Sequence, residues 1–429
     1  MSLFLRQREA DFDYDVLYRE QEKKLQKFIQ QLYQRSPFYR QKLEEAGIRP
    51  EQIKTIQDLA MVPFTTKSEL RAVYPLGMQA VPDEEVVRIH SSSGTTGKAI
   101  IVPYTSGDVA TWAEMMARCM EMTGITRKDR VQVTPGYGLW TAGIGFQAGV
   151  EQLGAMAIPT GPGNTEKQLE LMEDLQTTVL IGTSSYGLLL AEEIHKRGLQ
   201  SRLNLQKAIF GSERWGAKMR RRIEELLGIV TFDIYGLTEI YGPGIAIDCP
   251  YHQGMHFWSD HLLFEIIDPV SGQPLPPGEQ GELVITTLSK EGMPLLRYRT
   301  HDITRLRTDS CPCGSPFPRI DRILGRTDDM VKVKGVNIYP GQIDHVLKQT
   351  EGAGSEYQLI LSRSEGKDRI LVKVEAQEGA EFEKVAQDIK RNMKTRIGIQ
   401  SDVEVMPYGS LPRVEKKSKR VYDLRENSN

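Results

Sequence analysis

Apolar positions recur at helical spacing through residues 14 to 46, where Leu17, Leu25, Phe28 and Leu32 share one face and Gly47 follows as a stop. A helical N-terminal flank is expected there. From 86 to 239 the pattern changes to short apolar runs (VVRIH, RVQVT, AMAIP, TVLIGT, KAIFGS, VTFDIY) separated by the helix-like stretches EKQLELMEDLQ and KMRRRIEELL. Strand and helix in alternation predict βαβ units around a parallel sheet. After 255 the strands HLLFEIID, GELVITTL and DITRLRT are separated by turn signals such as PVSGQPLPPGEQG, which predicts a β subdomain over about 250–326. Beyond 326, strands (DMVKVKG, YQLILSR, RILVKVEA, DVEVMPY) alternate with helices (GQIDHVLKQT, FEKVAQDIKRNMKTRI), the texture of a separate small α+β domain. The charged tail after Arg420 reads as disordered. The fold expected is α/β, a large N-terminal part followed by a small α+β domain.

Composition narrows the partners. At 429 residues the chain can bury a sizeable core and suits two or three domains. Its 55 Lys and Arg nearly cancel 57 Asp and Glu, so neither nucleic acid nor an anionic membrane is indicated, and small molecules are the expected partners. The first ten residues lack the apolar core of a secretory signal and no stretch is apolar for long enough to cross a bilayer, so a cytoplasmic location is expected. Four cysteines are too few for a disulfide scaffold.

Several segments carry candidate chemistry. The run Ser91, Ser92, Ser93, Gly94, Thr95, Thr96, Gly97, Lys98 follows a strand and combines glycines, hydroxyls and a lysine, the ingredients of a phosphate cradle. It is not a Walker loop: Ser92 stands where that pattern needs glycine, and Ala99 replaces the magnesium-binding hydroxyl. Gly143, Gly145 and Ala148 satisfy the loose dinucleotide form of an NAD-dependent oxidoreductase, but the next strand, AMAIPT, ends without the acid that would hold a ribose, so helix packing is the better account. The run DIYGLTE at 233–239 ends a strand, where ligands bind in open α/β sheets, and Glu239 could hold Mg²⁺. Asp302 in YRTHDIT could accept both ribose hydroxyls, and Arg326 lies near a domain boundary.

In order and approximate spacing, SSSGTTGK, DIYGLTE, YRTHDIT and GRTDDMVKVKG resemble the adenylate-forming superfamily of acyl-CoA synthetases, and within it the phenylacetate-CoA ligase family. The stretches SPFYR, PFTTKSELR, FGSERW and CPCG support the likeness, which spans nearly the whole chain. It implies that Ser91 to Lys98 wraps the β and γ phosphates of ATP, that Gly211, Ser212 and Glu213 face Asp233, Ile234 and Tyr235 across the adenine, and that Thr238 and Glu239 meet the α-phosphate and Mg²⁺. Asp302 matches a ribose-binding aspartate, Arg326 a nucleotide contact, and Asp328 the hinge between an N-terminal domain of 1–327 and a C-terminal lid of 328–429. The catalytic lysine matches Lys417 in PRVEKKSKR; Lys416 stands where the family has glycine, which leaves Lys419 as an alternative. The acyl pocket matches Tyr137, Trp140, Ser185, Gly236 and Pro243, an aryl acid being the expected substrate, although Trp140 could equally be core. The implied reaction forms acyl-AMP and pyrophosphate and then acylates coenzyme A; transfer to a carrier protein is a second outcome within the superfamily. A homodimer and a place in phenylacetate catabolism belong to the same expectation.

One cluster stands apart from that chemistry. Cys249, Cys311 and Cys313, with His252 or His256, make a Cys₃His set suited to a closed structural zinc centre. The motif GMH, similar to the family's GLH, favours His256, and Cys119 reads as core.

Overall fold

The computed structural model describes residues 14–92, 98–213, 215–328, 331–333, 336–338, 340–364, 367–412 and 420–425. It divides into two compact units, Met1–Gly182 with Leu203–Ser212 and Phe232–Arg322, and Thr183–Arg202 with Glu213–Thr231 and Ile323–Asn429.

The first unit opens with α1 (Tyr14–Arg35) and α2 (Pro37–Glu45), two helices where the periodicity predicts one. The break has a local cause. Ser36 takes an extended conformation and its side chain accepts from Tyr39 N, while Pro37 fills the first turn, where a missing N–H costs nothing. A capping box of Thr66 and Glu69 starts α3 (Lys67–Ala72), and β1 (Val86–Ser91) pairs antiparallel with β2 (Ile101–Thr105). A second capping box, Thr105 with Asp108, starts α4 (Ser106–Met122).

The main sheet contains β3 (Arg130–Val133), β4 (Met156–Ile158), β5 (Val179–Thr183), β6 (Lys207–Gly211), β7 (Val230–Leu237), β8 (Gly242–Asp248), β9 (Met255–Phe257), β10 (Leu262–Ile267), β11 (Gln280–Thr287), β12 (Tyr298–Arg307) and β13 (Arg319–Ile320). Their order is β10-β11-β12-β13-β9-β8-β7-β6-β5-β3-β4. Parallel pairing of β3 with β4 and with β5 is reached through α5 (Thr141–Leu153) and α6 (Thr165–Asp174), as the alternating pattern requires. From β7 onward the partners run antiparallel, so the short strands after 255 continue the same hydrogen-bonded path. Val131, Val133, Val179, Leu180, Ile181, Ala208, Ile209 and Phe210 are all 0% exposed, the near-continuous apolar runs of a sheet covered on both faces.

The second unit holds α7 (Ser184–Lys196), α8 (Ala217–Leu227), the short β14 (Gly325–Arg326), the hairpin β15 (Val331–Val333) with β16 (Val336–Ile338), α9 (Pro340–Lys348), β17 (Ala353–Ser364), β18 (Lys367–Ala376), α10 (Phe382–Asn392), β19 (Asp402–Met406) and β20 (Val421–Asp423). Its sheet runs β19-β18-β17-β20. Val385, Ile389 and Met393 form one stripe of α10 and its extension, buried with Ile343, Val346, Leu359, Leu361, Val372 and Val374. The tail after Arg420, expected to be disordered, instead supplies β20: Val421, Tyr422 and Asp423 pair in parallel with Leu359, Ile360 and Leu361. Val421 packs against the core, and Arg425 reaches Asp368 at 3.1 Å, so the charges that suggested disorder are anchors. Among the described residues no helix is long and apolar enough to cross a membrane.

Candidate active site

The neck of the predicted phosphate loop is a closed hairpin end. Ser92 N donates to Ile100 O (3.0 Å) and Ile100 N donates to Ser92 Oγ (2.9 Å). Ser91 N donates to Leu139 O (2.8 Å), tying the end of β1 to the segment before α5. On the far side Lys98 is exposed, its Nζ 5.1 Å from the centre of the Tyr74 ring, and its carbonyl accepts from Arg71 Nε (3.3 Å). Ser93, Gly94, Thr95, Thr96 and Gly97 lie outside the described residues, as do Lys417 and Lys419.

Residues 233–239 form the end of β7 and the turn into β8, where Gly236 faces Pro243 and Leu237 faces Gly242. Glycine is obligatory at 236, because a Cβ there would lie 2.0 Å from Gly242 O. Gly211 on β6 is equally constrained: its Cβ would meet Ile234 O at 2.7 Å. Thr238 and Glu239 ride on the turn, and Glu239 is 4% exposed with its Oε1 3.1 Å from Lys67 Nζ at the start of α3. Nothing in the run PFTTKSELR marks Lys67 as a site residue, and no spacing rule links it to Glu239. Tyr235 and Asp302, predicted as separate adenine and ribose contacts, are joined by a 2.6 Å hydrogen bond from the phenol to Asp302 Oδ2, with both side chains buried. Asp302 N donates to Thr300 Oγ1 (3.0 Å), and Asp233 lies 3.6 Å from Arg322 Nε. Ser212 (φ 66°) and His301 (φ 64°) hold left-handed conformations that non-glycine residues seldom adopt, next to Gly211 and Asp302 respectively.

In the second unit Glu213 is held at the N-terminus of α7. Its Oε2 accepts from Ser184 Oγ (3.1 Å), Ser185 N (3.0 Å) and Ser185 Oγ (2.6 Å), a placement the helix dipole favours. Ser185, predicted as a pocket residue, is 5% exposed and serves here as a partner of Glu213. Arg326 and Asp328, predicted as nucleotide contact and hinge, form a bidentate pair at 2.8 and 2.9 Å.

The predicted acyl residues of the first unit gather about the first turn of α5. Trp140 is the residue before that helix and is 50% exposed, so it is not core. Tyr137 is half-buried, and a Cβ on Gly143 would lie 2.7 Å from its ring. Burial pushes the Tyr137 phenol up to about 12, and its hydroxyl oxygen has no hydrogen-bond partner. A Cβ on Gly145 would lie 2.2 Å from Trp112, whose Nε1 donates to Pro243 O (2.9 Å). The small residues that mimic a dinucleotide motif are therefore packing glycines for Tyr137 and Trp112.

Cys249, His256, Cys311 and Cys313 place their ligand atoms within 4.8 Å of one another. The Cys249 and Cys311 sulfurs are 3.6 Å apart and Cys313 Sγ is 3.3 Å from His256 Nε2. A tetrahedral zinc site with Zn–S near 2.3 Å and Zn–N near 2.0 Å sets these separations at about 3.8 and about 3.5 Å. His256 Nδ1 is 2.7 Å from Phe317 O, which fixes the proton on Nδ1 and turns the lone pair of Nε2 to the cluster. His252 lies outside this grouping, its Nδ1 2.9 Å from Asp248 Oδ2. Cys119 is fully buried and its thiol lies 3.4 Å from Gly244 O.

A βαβ sheet, a hydroxyl-rich run between the paired strands β1 and β2, a buried acid on the turn after β7 and a phenol-bound aspartate on β12 define the class of adenylate-forming enzymes. Residues 22–289 match the AMP-binding enzyme family and 335–425 the AMP-binding enzyme C-terminal domain. The phenylacetate-coenzyme A ligase of Pseudomonas putida is 43% identical over 96% of this chain and 95% of its own length. That of Escherichia coli strain K12 is 42% identical over 96% and 95%. The chain belongs to the phenylacetate-coenzyme A ligase family of AMP-binding enzymes, which activate an acid with ATP through an acyl-AMP and pass the acyl group to coenzyme A. Solved structures of 2-hydroxyisobutyryl-CoA ligase match as well. In the postadenylation state with R3-HIB-AMP the TM-score is 0.85 at 30% identity, covering 95% of this chain and 89% of that one. In the thioesterification state with 2-HIB-AMP and CoA it is 0.71 at 31% identity, covering 96% and 91%.

Proposed function

We propose that this ligase takes phenylacetate or a close aryl acid, and that the residues gathered above carry its two half-reactions. In the first, a carboxylate oxygen attacks the α-phosphorus of ATP and pyrophosphate leaves; in the second, the thiol of coenzyme A attacks the acyl carbon and AMP leaves. Both need charge stabilisation more than acid or base groups. Ser91 to Lys98 would grip the β and γ phosphates. The observation that carries the nucleotide reading is Asp302, a buried carboxylate oriented by the Tyr235 phenol and one strand position from the strained backbone of His301. Gly211, Ser212 and Glu213 with Asp233, Ile234 and Tyr235 would frame the adenine, Thr238 and Glu239 the α-phosphate. Arg326 would exchange Asp328 for the nucleotide, making their pair a gate at a hinge between 1–327 and a lid of 328–429. Lys417 remains our choice for the adenylation lysine, and Tyr137, Trp140, Gly236 and Pro243 for the aryl pocket.

Two metals fit the residues present. Glu239 is buried and, among the described residues, is countered by Lys67 in an ion pair without hydrogen-bond geometry, so its carboxylate can hold Mg²⁺, which would neutralise phosphate charge. The Cys249, His256, Cys311 and Cys313 set has the spacing for a closed structural zinc. A cytoplasmic location and a homodimer complete the reading. The test is acid-dependent exchange of labelled pyrophosphate into ATP across a panel of aryl and alkyl acids, with coenzyme A consumption followed in parallel. Exchange strongest with phenylacetate and matched by CoA-thioester formation supports the reading; exchange without thioester would redirect it to another acceptor, and preference for a short alkyl acid would overturn the aryl assignment.

A further inference from the structure

Lys290 is a buried lysine for which the reaction above has no role. It sits on the loop between β11 and β12, is 3% exposed, and has no carboxylate within ion-pair distance among the described residues. Its ammonium lies 4.0 Å from the centre of the Tyr104 ring and 4.3 Å from that of Tyr241, and it donates to Ile240 O. Ile240 follows Thr238 and Glu239 directly. The next carbonyl along, Tyr241 O, is taken by Tyr104 OH at 2.9 Å. Two buried donors from separate elements therefore hold consecutive carbonyls of the turn between β7 and β8.

The loop that delivers the lysine is itself pinned. Asp108 at the start of α4 accepts from Glu291 N and Gly292 N, both at 2.8 Å, and Thr105 Oγ1 donates to Glu291 Oε2 at 2.6 Å. A Cβ on Gly292 would meet Pro103 O at 2.5 Å, so the loop cannot slide along β2. Burial pushes the Lys290 ammonium down to about 8, and the Asp108 carboxylate opposes this.

Burying an ammonium with no counter-ion is costly, and apolar replacements of buried charge are often neutral or stabilising. Packing therefore does not account for a lysine here; a methionine would fill the same space between two aromatic rings without the desolvation cost. We propose that Lys290 is a positioning residue for adenylation, its ammonium fixing the turn that presents Thr238 and Glu239 and bringing positive charge beneath it. The proposal rests on the assignment of that turn to the α-phosphate.

The experiment compares wild type, Lys290→Met and Lys290→Gln by acid-dependent pyrophosphate exchange and by thermal unfolding. Loss of a group that orients a ligand-bearing residue costs roughly 10- to 100-fold in activity. That loss is expected in kcat for Lys290→Met, with a smaller change in KM for ATP and a melting temperature equal to or above wild type. Lys290→Gln, which keeps a donor for Ile240 O, should recover part of the rate. A Met variant as active as wild type, or one that melts lower or fails to fold, overturns the proposal, since the lysine would then be idle or structural. Wild type without exchange would overturn the functional reading instead.

Discussion

Replacing Cys311 by serine tests the metal cluster directly. Cys249 and His256 are 0% exposed, Cys311 is 4% exposed and Cys313 is half-buried, so an ion held by all four should persist through purification. The ligands come from the end of β8, from β9, and from the segment between β12 and β13, and β13 meets β12 and β9 through two ladder positions each. The ion would tie residues 311–313 to residues 249–256. Structural zinc in isolated finger peptides binds with about 10–16 kcal/mol of apparent free energy, most of it coupled to folding. Here Arg319 already pins the same segment, with Nη1 on Gln253 O and Nη2 on Asp309 O, both at 2.8 Å, so only part of that energy is felt as stability.

Breaking a buried charged group by removing one partner costs about 3–5 kcal/mol. At roughly 2 °C per kcal/mol for a unit of this size, the melting temperature should fall by about 6–10 °C. Wild type purified without chelator should carry one zinc per chain by elemental analysis, and Cys311→Ser should lose it and become cleavable by protease between β12 and β13. Cys119→Ser, altering a thiol remote from the cluster, should keep its zinc. If wild type holds no more zinc than Cys311→Ser, and the two melt together, the cluster is a packed set of thiols and the reasoning fails.

Tyr235→Phe removes the 2.6 Å donor to the buried Asp302; hydrogen bonds to charged groups contribute about 1.5–3 kcal/mol, so KM for ATP should rise by roughly 10-fold or more. Asp302→Asn should be worse and the double variant no worse than that, whereas additive losses would separate the two residues. Lys218 on α8 donates to Thr350 O (2.9 Å) and Ala353 O (2.5 Å), and burial pushes its ammonium down to about 8. Its folded pKa is below the unfolded 10.5, so the unfolded chain binds more protons between these values and stability from this group rises with pH from about 8 to 10.5. The melting temperature of wild type minus that of Lys218→Met should rise with pH across that window; a constant difference refutes the assignment.

What was legible in the sequence was whatever depended on periodicity or on a local run. Alternating strands and helices fixed the expectation of a parallel sheet because each βαβ unit is closed within some thirty residues, and β3, β4 and β5 pair accordingly. The grouping of Cys249, Cys311 and Cys313 was legible because thiols are scarce in this chain and each is conspicuous, whereas the choice between His252 and His256 was not. Local chemistry also misled: a charged C-terminal run looked disordered although three of its residues complete a sheet, since the apolar face of β20 is only one side chain wide. The pairs that organise the site were invisible for a different reason. Tyr235 with Asp302, Lys67 with Glu239, and Lys290 with Ile240 join residues far apart in the chain, and although Tyr235, Asp302 and Glu239 were each expected in the site, nothing local links any of them to its partner. Buried polar side chains reveal themselves only once the fold brings their partners to them, because the cost of burial is paid at contacts that no single segment contains. Lys290 is the clearest case: in GELVITTLSKEG it reads as a solvated turn lysine, and only its burial beneath the turn after β7 turns it into a question about the chemistry above it.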